Sequence, residues 1–210
     1  MFLNFCKTAR FKLLGNTVKN FRAAGHRFES FQKPLGRTCL HIHSVIRTAL
    51  HLASHKPSQE YGRHAKAWLE WVSDEKLVLL SMMADASDEA LQLTRILDRE
   101  NVDPASVRRE VQAWIAKINA LFGRGACVKS SCFGYTTVML RLLQHPIVWN
   151  MGSTFYTIGA DEGVPADVIQ RCLSRMRSWV ELLQRRCARD FQTSRCARRS
   201  DWLRVGGPGP

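Results

Sequence analysis

The chain has 210 residues, 45% of them apolar and six of them Trp, which is enough material for a packed core and excludes wholesale disorder. Its net charge of +13 is unevenly held: residues 1–59 carry ten Lys/Arg against Glu29 alone, 60–164 carry eleven basic and thirteen acidic residues, and 165–210 carry ten Arg, no Lys and four acids. A near-neutral middle between basic ends fits a folded body with polyanion-facing ends, and the longest nearly apolar run, Leu77 to Ala84, falls well short of a membrane span.

Taken in order, Met1 to about Gly36 is basic and Phe-rich, and Gly15, Gly25 and Pro34-Leu35-Gly36 are read as breaks in it. A helix is expected from about Thr38 to His55, ended by Lys56-Pro57-Ser58. Trp68, Trp71, Val72, Val78, Leu79, Met82 and Met83 recur at three- and four-residue spacings, so one continuous helix is expected over about Gly62 to Ala84. Ser87-Asp88-Glu89 then reads as the start of another helix reaching about Arg99; Ser73-Asp74-Glu75 is the same tripeptide fourteen residues earlier, a possible break that the apolar stripe overrides. Asp103 and Pro104 open the strongest helix, with Val107, Val111, Trp114, Ile115, Ile118, Leu121 and Phe122 on one side and Gly123 as its C-terminal cap.

A loop from Gly123 to Gly134 leads to a short helix near Thr136 to Gln144, stopped by Pro146. Residues 147–158 are rich in Val, Trp, Phe, Tyr and Thr around Met151-Gly152-Ser153, the composition of a small β-hairpin. Gly163 and Pro165 precede a long helix with Ile169, Cys172, Leu173, Met176, Trp179, Val180 and Leu183 on one side and arginines on the other. Ser194 to Pro210 reads as a flexible tail. The fold class is therefore all-α: a bundle of five or six helices over residues 38–192, a basic N-terminal segment over 1–37 and an Arg-rich tail over 193–210. Trp68, Trp71, Leu79, Val111, Trp114, Ile118, Met176, Trp179 and Leu183 are the expected centre of the core.

Chemistry-bearing groups are sparse. Cys39/His43 and His51/His55 each stand four residues apart, a spacing that puts two ligands on one helix side, but the two pairs are too far apart on one helix to share an ion. Cys127 and Cys132 flank Val-Lys-Ser-Ser with no second pair near them, and they read as inert thiols rather than a zinc site or a nucleophile beside Lys129. The phosphate-loop, dinucleotide, zinc-protease and nucleophile-elbow motifs are missing. Asp74/Glu75, Asp88/Glu89 and Asp161/Glu162 are explained as helix-start residues. No cofactor, metal or reaction is implied, and the protein is expected to be non-enzymatic.

The arginines are the positive signal, because a guanidinium forks onto a phosphate in a way Lys does not. Association with nucleic acid through phosphates is the leading expectation. One surface would use Arg171, Arg175, Arg185, Arg186, Arg189, Arg195, Arg198 and Arg199, the other Lys7, Lys12, Lys19 and Arg22. The alternative is a helical protein-interaction module whose basic ends serve solubility or targeting. Seven cysteines, an odd number, with no secretory leader pattern, suggest free thiols in an intracellular setting, cytoplasmic or nucleoid/nuclear. An organelle address at the basic N-terminus is a looser alternative.

Overall fold

The computed structural model describes residues 32–98, 103–129, 131–132 and 134–201. Seven α-helices and one two-stranded sheet occupy them: α1 (Gln32–Leu40), α2 (Ile42–His55), α3 (Glu60–Trp71), α4 (Asp74–Leu97), α5 (Pro104–Ile118), α6 (Tyr135–Leu142), β1 (Ile147–Met151), β2 (Thr154–Ile158) and α7 (Ala166–Asp201). A π-turn (Asn119–Gly123) and a 3-10 turn (Ala126–Val128) link α5 towards α6. The helical class and the hairpin agree with the sequence reading, and the helix boundaries depart from it in instructive places.

Pro34-Leu35-Gly36 does not break the chain. Pro34 sits in the first turn of α1, where the missing N–H costs nothing. Gly36 is buried, and a Cβ there would stand 2.6 Å from the Tyr135 ring, so the glycine lets α1 lie close on α6. The expected single helix to His55 is instead α1 and α2, divided by a kink at His41 (φ −118°, ψ 25°).

The larger correction concerns the middle. The chain breaks at Val72 and Ser73, both extended, so α3 ends there and α4 begins at Asp74. Ser87-Asp88-Glu89 lies inside α4 and starts nothing. The acids decide between the two tripeptides. Asp74 Oδ1 accepts a hydrogen bond from the Gly159 amide (2.8 Å) and Glu75 meets two arginines of α7, whereas Glu89 is drawn sideways to Lys117 (2.6 Å) on α5. The break also turns Trp71 outwards: it is 56% exposed, with the Lys76 ammonium 4.2 Å from its ring centroid.

α4 is the centre of the molecule and packs against α1, α5, α6 and α7. It buries Leu77, Val78, Ser81, Met82, Ala84, Asp85, Ala86 and Leu91. Ile42 and Ile46 of α2, Leu69 of α3, Ile118, Phe122, Met139 and Leu143 complete the core with Cys172, Leu173, Met176 and Val180 of α7. Of the expected core centre, Ile118 and Met176 are buried, while Trp68, Leu79, Trp114 and Trp179 pack around its edge; Val111 and Leu183 are half-buried.

The α5 stripe ends in the π-turn, where the Arg124 amide reaches back five residues to the Asn119 carbonyl (3.0 Å). Phe122 is thereby driven into the core, its ring edge-on to Trp179 with centroids 6.2 Å apart. Gly123 does not cap the helix in a left-handed conformation; Gly125 takes that geometry (φ 69°). In the hairpin, Ile147 pairs Ile158 and Met151 pairs Thr154. Trp149 stacks on Tyr156 on the inner face, and Val148 and Phe155 stand on the outer one, 62% and 76% exposed.

Candidate nucleic-acid interface

α7 has 36 residues, about 54 Å of helix at 1.5 Å per residue. Its sequence makes two different objects of it. From Ala166 to about Leu183, apolar residues recur at helical spacing and Cys172, Leu173, Met176 and Val180 are buried against the body. Beyond Leu183 and Cys187 the sequence turns to arginines with small and polar residues, Phe191 being the large apolar residue that follows at the same spacing.

The inner arginines are used by the fold. Arg171 Nε stands 3.1 Å and Arg175 Nη2 2.8 Å from the two oxygens of Glu75, whose side chain is 23% exposed. Arg171 also pairs with Asp167 one turn earlier, which holds that carboxyl below its usual range through the guanidinium hydrogen bond. Arg177 Nε donates to the Gly123 carbonyl (3.1 Å). These contacts fasten α7 to the start of α4 and to the π-turn.

The outer arginines are placed differently. Arg185, Arg186 and Arg189 are exposed, and the acid nearest Arg185 is Glu181 of the same helix at 3.7 Å, both side chains largely in solvent. Arg195, Arg198 and Arg199 continue in the same helix, which runs through to Asp201 across the stretch read as a tail. Lys7, Lys12, Lys19 and Arg22 lie outside the described residues. Of the residues expected on one phosphate surface, Arg171 and Arg175 therefore belong to an ion-pair cluster, and the remainder extends along one helix.

The residue that sequence reasoning passed over is Asp85. It sits on the buried side of α4 and accepts from the Tyr135 amide (2.7 Å), the Thr136 amide (3.0 Å) and the Thr136 hydroxyl (2.6 Å). Its carboxylate thus satisfies the first N–H groups of α6 from another helix. Burial pushes its pKa up, and the Thr136 and Tyr135 hydrogen bonds oppose that. The clue in the sequence was an acid inside the apolar stretch Leu77 to Ala86, a position where acids are rare unless partnered.

Asp85 also floors a cleft of about 550 Å³ bordered by Leu40, Asp88, Glu89, Lys117, Tyr135 and Arg141. Two of its charges, Glu89 and Lys117, neutralise each other.

The cysteine and histidine pairs do not assemble a reactive centre. Burial pushes the Cys39 and Cys127 thiols up to about 12 and Cys172 up to about 11, so all three stay protonated at neutral pH. Cys39, Cys127, Cys132 and Cys172 are free thiols. His43 Nε2 donates to the Leu142 carbonyl (3.1 Å), joining α2 to α6, and the rings of His51 and His55 stack 4.1 Å apart. Among the described residues no three potential ligands gather around a point, and no helix is long and apolar enough to cross a membrane.

No family model, curated protein or solved structure matches the chain.

Proposed function

We propose that the protein associates with nucleic acid through phosphate contacts made by the outer half of α7. The observation that carries this reading is the continuation of α7 past Val180, the last buried residue among those of the helix whose burial is described, with Arg185, Arg186 and Arg189 on exposed positions and three further arginines in the same helix. Guanidinium groups carried on such a helix fork onto phosphate oxygens. Binding of this kind releases counterions and weakens steeply with salt. It requires no catalytic group.

The test is a fluorescence-anisotropy titration of the full chain against a labelled oligonucleotide over a salt series. Replacing Arg185, Arg186 and Arg189 together by Gln is expected to lower the log–log salt slope by about 2–3, at 0.7–0.9 per contact. Helix content by circular dichroism should hold. No binding at low salt, or an unchanged slope in the triple variant, overturns the reading.

A second reading, docking to a protein partner, is favoured by the outer hairpin face, where Val148 and Phe155 expose apolar surface diagonally across the two strands. Sedimentation of the protein alone and with added polyanion separates the two. Self-association abolished by Val148→Thr with Phe155→Thr, without any nucleic-acid binding, would favour the second.

A further inference from the structure

We infer that the outer edge of β2 pairs with the same edge of a second copy of the chain, giving a four-stranded antiparallel sheet across a two-fold axis. The inference deepens the second reading, docking through the hairpin, and rests on it; it is independent of phosphate binding by α7.

The backbone of the hairpin carries the case. Gly152 (φ 65°) and Ser153 form a two-residue turn, so Met151 and Thr154, which face each other across it, are the first hydrogen-bonded pair of the ladder. Pairs alternate from there, turning the N–H and C=O of Tyr156 and Ile158 towards β1 and those of Phe155 and Thr157 away from it. Among the described residues no hydrogen bond reaches these outward groups. Open edges of this kind are normally blunted by a charge, a Pro or a bulge. β2 has none of these, its register is continuous, and no charged residue stands between Pro146 and Ala160. β1 is the better guarded edge, because Pro146 directly precedes it.

Charge selects the occupant. The chain carries +13, so two copies repel one another, and an uncharged hairpin is where they approach at least cost. An acidic partner would instead be drawn to the basic ends. A two-fold axis through Tyr156 sets Phe155 opposite Thr157 of the second copy, and the reverse, so the outward groups of both residues are bonded at once. The two Phe155 residues become diagonal neighbours about 7–8 Å apart, within reach of aromatic rings. Phe155 is 76% exposed in the single chain, and this contact covers it. Pairing through β1 would bring together Val148, a smaller apolar side chain. Such an interface is small and belongs to the weak, transient class.

The experiment is sedimentation velocity of the full chain, freed of nucleic acid, at low and high salt. The parent is expected to be monomeric at about 1 µM and largely dimeric at about 100 µM. Dimerisation should strengthen with salt, which screens like charges; self-association that weakens with salt would overturn the inference. Thr157→Pro removes an outward donor and no bond within the hairpin. It should weaken dimerisation at least about ten-fold with circular dichroism unchanged, whereas Thr157→Val, which keeps the N–H, should dimerise like the parent. Val148→Thr with Phe155→Thr should weaken it as well. Loss in that face variant with Thr157→Pro unaffected would overturn the strand pairing while leaving docking by the face intact. Self-association untouched by either variant would overturn both. A parent still monomeric at about 100 µM in high salt would overturn the second copy as occupant.

Discussion

The two halves of α7 are built from the same residue type and put it to opposite uses. In the inner half, Arg171 and Arg175 converge on Glu75 and Arg177 meets a backbone carbonyl, so positive charge is consumed in joining elements. In the outer half, Arg185, Arg186 and Arg189 face solvent. The difference lies in what the opposite element presents. α4 brings an acid to the inner half, while the acid nearest Arg185, Glu181, belongs to its own helix. Formal charge counted along a chain therefore overstates the charge offered to a partner.

The largest effect expected from this contrast is on stability. Met176→Ala, in the buried seam of the inner half, should cost about 2–5 kcal/mol in denaturant unfolding. Leu182→Ala, on an exposed position of the same helix, should cost under about 0.5 kcal/mol. Similar costs for the two would mean that α7 lies on the body differently. Asp85→Ala comes next, at about 2–4 kcal/mol, because it strands two backbone N–H groups and a hydroxyl at the buried start of α6. An unfolding midpoint unmoved by this change would show that water replaces the carboxylate there.

Replacing Arg171 and Arg175 by Gln sharpens the contrast directly. The pairs with Glu75 are partly exposed, so stability should fall by no more than about 1 kcal/mol. The salt slope of nucleic-acid binding should stay close to that of the parent. A slope lowered as much as in an outer-half double variant would show that Glu75 does not occupy these guanidinium groups.

The smallest effect is a pH dependence confined to the body. Burial, first, holds the His43 pKa below 6.5, with Arg47 and His145 acting the same way and the Leu142 carbonyl against them; burial and Arg37 lower His41. The unfolded chain then binds more protons than the folded one. Stability is present above 6.5 and is lost as the pH falls through that value towards the folded-state pKa. Asp85, raised by burial, contributes the opposite slope from 3.8 upwards, so the measurement is the difference between the parent and His43→Gln. The curves should diverge least below the folded-state value and most at neutral pH. Parallel curves would remove His43 from the account.

Much of this was legible in local sequence. Asp103-Pro104 opened α5, the Val- and aromatic-rich stretch 147–158 formed its hairpin, and the inner seam of α7 followed its apolar spacing. These signals act within a few residues. The two Ser-Asp-Glu tripeptides could not be ranked the same way, because the groups that separate them are distant: Gly159 lies 85 residues from Asp74, and Arg171 lies 96 from Glu75. Asp85 was hidden for the same reason, its partner Thr136 being 51 residues away. Glu75 had interrupted an otherwise apolar stripe, and that interruption marked the ion-pair cluster that divides α7 into its two uses.

The π-turn at Asn119–Gly123 bears on how this chain tolerates insertion and deletion. It holds one residue more than an α-helical turn would, so removing a single residue there restores the ordinary hydrogen-bond ladder. The local backbone would accept the deletion readily. Everything after it would be rotated by about 100°, taking Phe122 away from Trp179 and out of the core. Length change at this point is cheap for the helix and costly for the side chains that follow, so the extra residue sets the phase between α5 and the rest of the molecule.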